Sequence, residues 1–114
     1  MESHKDLRVW QESMDLVVEV YSITKQFPKD ELYALTSQMR RSALSIPSNI
    51  AEGAGRKGKA EYSRFLYIAL GSASELETQI EIAYRLKFIY KIDDLESRIR
   101  FIKNMLSKLI KSLD

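Results

Sequence analysis

The polar residues that could do chemistry are concentrated between Gln38 and Arg56, in the segment QMRRSALSIPSNIAEGAGR. Asn49 and Glu52 stand three residues apart, so they share one face of a helix. A catalytic carboxylate needs a base or nucleophile nearby, yet the single histidine is His4, at an N-terminus expected to fray. Cysteine is absent, and neither a nucleophile–base pair nor a cluster of metal ligands appears. The sequence therefore predicts a protein that is not an enzyme and has no metal or other cofactor.

Three glycines follow this pair, at Gly53, Gly55 and Gly58. They precede a helix, which would permit an anion site at the helix start. Their spacing matches no nucleotide-binding motif, and no strand precedes them. We predict that they form a turn in which one glycine supplies a left-handed cap to the preceding helix.

The elements that position these residues follow from the hydrophobic periodicity. Apolar residues at intervals of three and four predict four helices, over about 7–26, 31–54, 59–88 and 93–113, in a single domain of residues 1–114. Asp30 and Asp93 are the predicted caps of the second and fourth helices. Because the connections are short, the predicted fold is all-α, an antiparallel up-down-up-down four-helix bundle.

Pro47 interrupts the second of these helices. It has no N–H, so the carbonyl of Ala43 loses its helical partner and the helix should kink. Ser42, Ser45 and Ser48 stand nearby, and a serine hydroxyl can bond the freed carbonyl. The kink is expected to bend the helix around the core.

Folding the second and third helices into a hairpin places Ser42 opposite Ser72 and Arg41 near Glu75. The sequence thus predicts a structural polar network in which Arg41 and Glu75 meet as an ion pair. A pocket for a small molecule around Asn49, Glu52 and Glu75 is a weaker alternative. The members of the predicted network are Gln38, Arg41, Asn49, Glu52, Ser72 and Glu75.

Composition bounds the function further. The 114 residues carry a net charge of +2, too small to indicate a nucleic-acid binder by itself. The N-terminal sequence lacks the apolar region of a secretory signal, and no apolar run reaches the roughly 18 residues of a membrane span. We therefore expect a cytoplasmic protein.

The distribution of charge is more informative than its total. In an up-down bundle, both termini and the turn at Arg56–Gly58 lie at one end, where eight bases and five acids leave an excess of +3. The rest of the chain is then slightly acidic. The acids are Glu2, Asp6, Glu52, Glu61 and Asp114; the bases are Lys5 and the candidate nucleic-acid ligands Arg8, Arg56, Lys57, Lys59, Arg64, Lys108 and Lys111.

Two blocks, SIPSNIAEG and IALGSASELE, resemble a known pattern. They are similar to the four-helix-bundle proteins encoded in intervening sequences of bacterial 23S ribosomal RNA genes, a family related to the accessory proteins of diversity-generating retroelements. The resemblance begins at LRVWQESMDL, extends to about Leu86 and is loose in the last helix. It implies a homopentamer with a basic surface and, for the retroelement branch, binding of nucleic acid and of a reverse transcriptase. Asn49, Glu52, Gly53, Ser72 and Glu75 carry over as family positions, which we interpret as structural.

Two functions remain in competition. The leading hypothesis is a non-enzymatic, oligomeric protein that binds RNA or DNA through phosphate, from the basic end of the bundle. The alternative is a scaffold whose oligomer docks a partner protein such as a reverse transcriptase. Some apolar residues lie outside the four-helix seam and either widen the core or form a subunit interface: Tyr67, Tyr84, Phe88, Phe101 and Met105.

Overall fold

The computed structural model describes residues 3–114 and contains four long helices. They are α1 (Arg8–Thr24), α2 (Leu35–Ala54), α3 (Lys59–Arg85) and α4 (Asp93–Ser112), with single 3₁₀ turns at His4–Asp6 and Lys29–Glu31. Residues 3–114 include no strand, so the predicted all-α class is confirmed. The molecule measures 43 × 24 × 20 Å.

Contacts between specific side chains show that adjacent helices run antiparallel. The end of α1 meets the start of α2, where Arg40 Nε donates to Thr24 Oγ1 at 2.9 Å. Ser42 bonds Glu75 and Ser45 bonds Ser72, so α2 and α3 also run in opposite directions. The fourth helix contacts both α3 and α1, and each helix therefore packs against two neighbours around a common core.

The core is aliphatic and continuous along the molecule. Each helix contributes residues at intervals of three and four, as the periodicity predicts. Among residues 3–114, Phe27 is the one aromatic residue buried in this otherwise aliphatic core. The largest fully buried apolar side chains are Leu16, Val20, Met39, Ile46, Ile50, Leu66, Leu76, Ile80, Ile99, Ile102 and Leu106.

Gly53 permits the closest approach between α2 and α3. A Cβ atom built there would lie 2.8 Å from Phe65 Cβ and 3.2 Å from the carbonyl oxygen of Tyr62. Neither of these atoms lies at the free end of a side chain, so neither can move aside without moving α3. A glycine at this position thus fixes the distance between the two helices.

The second helix begins later than predicted, at Leu35 rather than at residue 31. Asp30 lies inside a 3₁₀ turn, so its carboxylate is too far back in the chain to cap α2. Glu31 Oε1 instead accepts a hydrogen bond from the amide of Leu35 at 3.3 Å. Leu32 lies in this connection, outside α2, and is exposed.

The third helix ends at Arg85, three residues before the predicted end. Lys87 adopts a left-handed conformation with φ 65°, its amide donates to the Tyr84 carbonyl, and the amide of Phe88 donates to that of Ala83. These two hydrogen bonds together form a Schellman motif. It turns the chain back so that the Phe88 ring lies 5.4 Å from that of Phe27.

Two smaller predictions also differ from the structure. Asp93 is the first residue of α4 and makes no side-chain cap; the capping position is held by Ile92. His4 lies in a 3₁₀ turn capped by Ser3, and its ring lies edge-on to Trp10 with 5.2 Å between centroids, so it is not frayed.

The helix α2 continues through Pro47, whose side chain is buried. The neighbouring serines do not compensate for its missing N–H in the way predicted. Ser42 donates its hydroxyl proton to Glu75, and Ser45 bonds Ser72, so both hydroxyls bridge to α3. Over residues 3–114, no helix combines the length and apolar character that crossing a membrane requires.

Candidate nucleic-acid interface

One end of the molecule is formed by the start of α1, the end of α2, the start of α3 and the end of α4. We call it the basic end, defined by Arg8, by residues 56–64 and by residues 108–111. The topology brings together all seven bases that the sequence analysis selected. Whether they carry free charge depends on their neighbours.

The turn between α2 and α3 is built by glycine. Gly55 ends α2 in a right-handed helical conformation, and its amide donates to the Ala51 carbonyl. Gly58 precedes α3 with φ 92° and ψ 148°, a region that only glycine enters readily. The predicted special glycine is therefore Gly58, at the start of α3, and not a cap on α2. The tight turn leaves Lys57 and Lys59 fully at the surface.

The three arginines of the basic end are each paired with a carboxylate. Arg56 Nη2 lies 2.9 Å from Glu52 Oε2, and Arg64 Nε lies 2.9 Å from Glu61 Oε2. Arg8 Nε lies 3.9 Å from Glu12 Oε1, a looser contact. These pairs remain largely exposed, so each adds little to stability, but each cancels charge that the sequence count assigned to the surface.

The Arg64–Glu61 pair shifts the ionisation of both groups. The hydrogen bond from Arg64, together with its positive charge, holds the pKa of the Glu61 carboxyl below its ordinary value. The same hydrogen bond raises the pKa of the Arg64 guanidinium. At the residue after Glu61, burial raises the pKa of the Tyr62 phenol.

The four lysines of the basic end have a different environment. Lys57, Lys59, Lys108 and Lys111 are exposed, and within residues 3–114 none of them lies within 4.0 Å of a carboxylate. They are the bases of this end whose charge no neighbouring acid cancels. Glu2, counted among the acids of this end, lies outside the described residues.

Sequence reasoning missed two aromatic residues that organise the arginines. The Cζ atoms of Arg64 and Arg56 lie 4.4 and 5.2 Å from the centre of the Phe65 ring. Arg8 lies over Phe101 in the same way, at 4.9 Å. Phe101 had been interpreted as a residue of the core or of a subunit interface. The adjacency of Arg64 and Phe65 was the available signal, since it puts a cation beside a ring at a helix start.

The predicted polar network lies on the outer side of α2 and α3. Ser45 Oγ and Ser72 Oγ are 2.7 Å apart, and Asn49 Nδ2 donates to both the carbonyl and the hydroxyl oxygen of Ser45. Ser42 Oγ donates to Glu75 Oε1 at 3.1 Å. These residues border an open groove of about 360 Å³, lined by Gln38, Arg41, Ser42, Ser45, Ser72 and Glu75.

Two details of that network differ from the prediction. Arg41 and Glu75 line the same groove, but among residues 3–114 they form no ion pair within 4.0 Å. Glu75 is bonded by Ser42 instead, because the two helices approach closely enough for a serine to reach it. Glu52 belongs to the basic end through Arg56 and does not join Asn49. The suggested pocket of Asn49, Glu52 and Glu75 therefore does not form.

The described residues hold no group of three or more histidine, aspartate or glutamate side chains arranged to bind a metal. The groove presents hydroxyl, amide and charged groups, a lining that suits a polar partner.

Comparison with known families gives a match over residues 5–108, to the sequence model of the 23S rRNA-intervening sequence proteins. The chain belongs to this family. The match includes most of α4, so it extends beyond the region near Leu86 where the sequence resemblance ended. A comparison with curated proteins gives no significant match.

A solved structure has the same fold as this 23S rRNA-intervening sequence protein. It is a protein of unknown function from the S23 ribosomal protein family of Bacteroides thetaiotaomicron, with 25% sequence identity and a TM-score of 0.83. The alignment covers 90% of this chain and 95% of the other. In this chain, the SIPSNIAEG block supplies Ser45 to the polar groove and Gly53 to the close contact with α3. The basic end lies at the edge of that block.

Proposed function

We propose that this protein is a non-enzymatic nucleic-acid-binding protein that contacts phosphate from its basic end. The observation that carries the proposal is the contrast between paired arginines and unpaired lysines. Arg8, Arg56 and Arg64 are held by glutamates, whereas Lys57, Lys59, Lys108 and Lys111 are exposed without acidic partners. A lysine ammonium is a mobile point charge that suits phosphate without reading sequence.

We further propose that copies of the chain assemble into a cyclic oligomer, which is a pentamer by family resemblance. The chain would be encoded in an rRNA intervening sequence or a similar context. The support is apolar surface on α3, where Tyr67, Ile68 and Ile82 are exposed in the single chain. A subunit interface on this helix would cover these apolar side chains. Repetition of the basic end around a ring would multiply a weak phosphate contact into a multivalent one.

The dependence of affinity on salt tests this function. Each phosphate contact contributes about −0.7 to −0.9 to the slope of log K against log salt. Four lysines therefore predict a slope of roughly −3 to −4 for one chain, and a steeper slope for a ring that engages several chains. Absence of binding to a labelled RNA or DNA at about 50 mM salt, or a flat response, would refute the proposal.

The alternative, a scaffold that docks a partner protein, is favoured by the opposite end. There Leu32, Tyr33, Leu86 and Tyr90 are exposed, with Tyr33 at 92% and Tyr90 at 80%. Large exposed aromatics are typical of interface residues. A purified candidate partner such as a reverse transcriptase, captured after nuclease treatment and lost with Tyr33→Ser/Tyr90→Ser, would favour this function.

A further inference from the structure

At the basic end, an aromatic ring packs against two arginines, and its interpretation rests on the proposed nucleic-acid function. Phe65 is half-buried at the start of α3, between two guanidinium groups whose Cζ atoms lie 4.4 and 5.2 Å from the ring centre. The side chains of Arg56 and Arg64 remain 48% and 57% exposed. The cluster is therefore held together and still open to solvent.

The carboxylates give the cluster a defined geometry. Glu52 and Glu61 each hold one arginine at 2.9 Å, while the ring packs against both guanidinium groups. A free arginine loses much side-chain entropy when it is ordered on a ligand, and here that ordering precedes binding. Since each arginine is already neutralised, the cluster has little net charge to offer phosphate. What the cluster can still offer a ligand is the flat faces of its guanidinium groups and its aromatic ring.

Planar guanidinium groups and aromatic rings are surfaces on which nucleic-acid bases stack. In a duplex the faces of the bases are already stacked on one another, so only an unpaired base can use such a surface. The neighbouring Lys57 and Lys59 stand where they can hold the adjoining phosphates. Arg8 makes a similar pairing, since its Cζ atom lies 4.9 Å from the centre of the exposed Phe101 ring, near the middle of α4.

We propose that the Arg56–Phe65–Arg64 cluster is a stacking site for unpaired bases, so that the protein binds single-stranded nucleic acid in preference to duplex. In this arrangement lysines hold phosphate and the arginine–phenylalanine cluster holds bases. The site would be tolerant of sequence, since every base has a face that can stack.

The test is fluorescence anisotropy with three labelled 20-nucleotide probes: a single strand, the same strand in a duplex, and a strand of equal phosphate number with central abasic sites. We expect the single strand to bind about five- to tenfold more tightly than the other two. Equal affinity for all three would overturn the stacking site and leave phosphate binding intact. No binding of any probe at low salt would overturn the proposed function and this inference with it.

The variant Arg56→Lys/Arg64→Lys keeps both charges and removes both planar groups. We expect it to bind the single strand with the affinity of the abasic strand. Phe65→Leu, with its fold checked by circular dichroism, should lose the preference in the same way. The matched control is Tyr90→Leu, which removes an exposed ring at the opposite end. A single-strand preference that survives both basic-end variants would overturn the proposal.

Discussion

At the residue scale, a few positions adopt conformations or make contacts that the residue type alone does not predict. Lys87 is the clearest case, since it holds φ 65° in the Schellman motif that ends α3. A lysine there places its Cβ against the neighbouring carbonyl, a cost that glycine avoids. Sequence patterning extended α3 to residue 88 because no glycine marks the end.

Lys87→Gly should therefore stabilise the protein by about 0.5–1 kcal/mol, by removing the left-handed strain. Chemical denaturation monitored by circular dichroism measures the change. Lys91→Gly, an exposed lysine without positive φ, serves as the control and should give no gain. Equal effects of the two substitutions would contradict the assignment of strain to Lys87.

The glycines of α2 and α3 make a second matched pair. Gly53→Ala should destabilise the protein by about 1–2 kcal/mol, because overpacking against Phe65 and the Tyr62 carbonyl exceeds the gain in helix propensity. Gly71→Ala should instead stabilise it by about 0.5–1 kcal/mol, since nothing lies within 4 Å of the added methyl. Thermal unfolding of both variants measures these changes in stability. Changes of the same sign in the two variants would contradict the different packing assigned to Gly53 and Gly71.

Tyr62 gives a prediction in pH. Burial raises its folded pKa above the ordinary value of about 10, so its contribution to stability is complete below that value and is lost as pH rises through the folded pKa. Tyr62→Phe should therefore flatten the alkaline decline in the free energy of unfolding, measured by urea denaturation between neutral pH and pH values above about 10. A decline identical in wild type and Tyr62→Phe would contradict the burial argument.

At the scale of the element, the four helices could be predicted from the hydrophobic periodicity of the sequence, but their ends could not. The core positions of α3 and α4 could be predicted because each helix presents a continuous apolar stripe. The start of α2 could not, because the turn at Lys29–Glu31 satisfies its own backbone and displaces Asp30 from the cap. Side chains such as Asp30 indicate a nearby helix start without fixing which amide they reach.

Truncating a core side chain tests this packing. Leu66→Ala and Ile102→Ala should each cost about 2–5 kcal/mol, since both side chains are fully buried where neighbouring helices meet. Val18→Ala, at an exposed position of α1, should change stability by less than about 0.5 kcal/mol. Denaturant midpoints compare the three, and similar losses at buried and exposed positions would contradict the assigned core.

At the scale of the whole molecule, antiparallel packing gathers bases from four helices at one end. Their location could be predicted from the sequence, because helix direction alone decides which residues share an end. Their availability was missed, although the glutamates that neutralise Arg56 and Arg64 lie one helical turn away, at the i,i+4 and i,i+3 spacings of helical ion pairs. The charge excess is thus carried by lysines, and the arginines become available for stacking.

Assembly is tested independently by light scattering at micromolar concentration. We expect a mass near five times the 13.2 kDa of one chain. Tyr67→Ser/Ile68→Ser should lower that mass if the exposed apolar residues of α3 belong to the subunit interface. A monomer in the wild type would remove the multivalent part of the proposal.

The most direct test of the central claim compares two lysine pairs by anisotropy with a labelled 20-nucleotide strand at about 50 mM salt. Lys57→Gln/Lys59→Gln removes two unpaired charges from the basic end, and Lys25→Gln/Lys29→Gln removes two exposed charges from the opposite end. The account predicts that the first variant binds about tenfold more weakly, with a shallower salt slope, while the second binds like the wild type. Equal affinities of the two variants would contradict it.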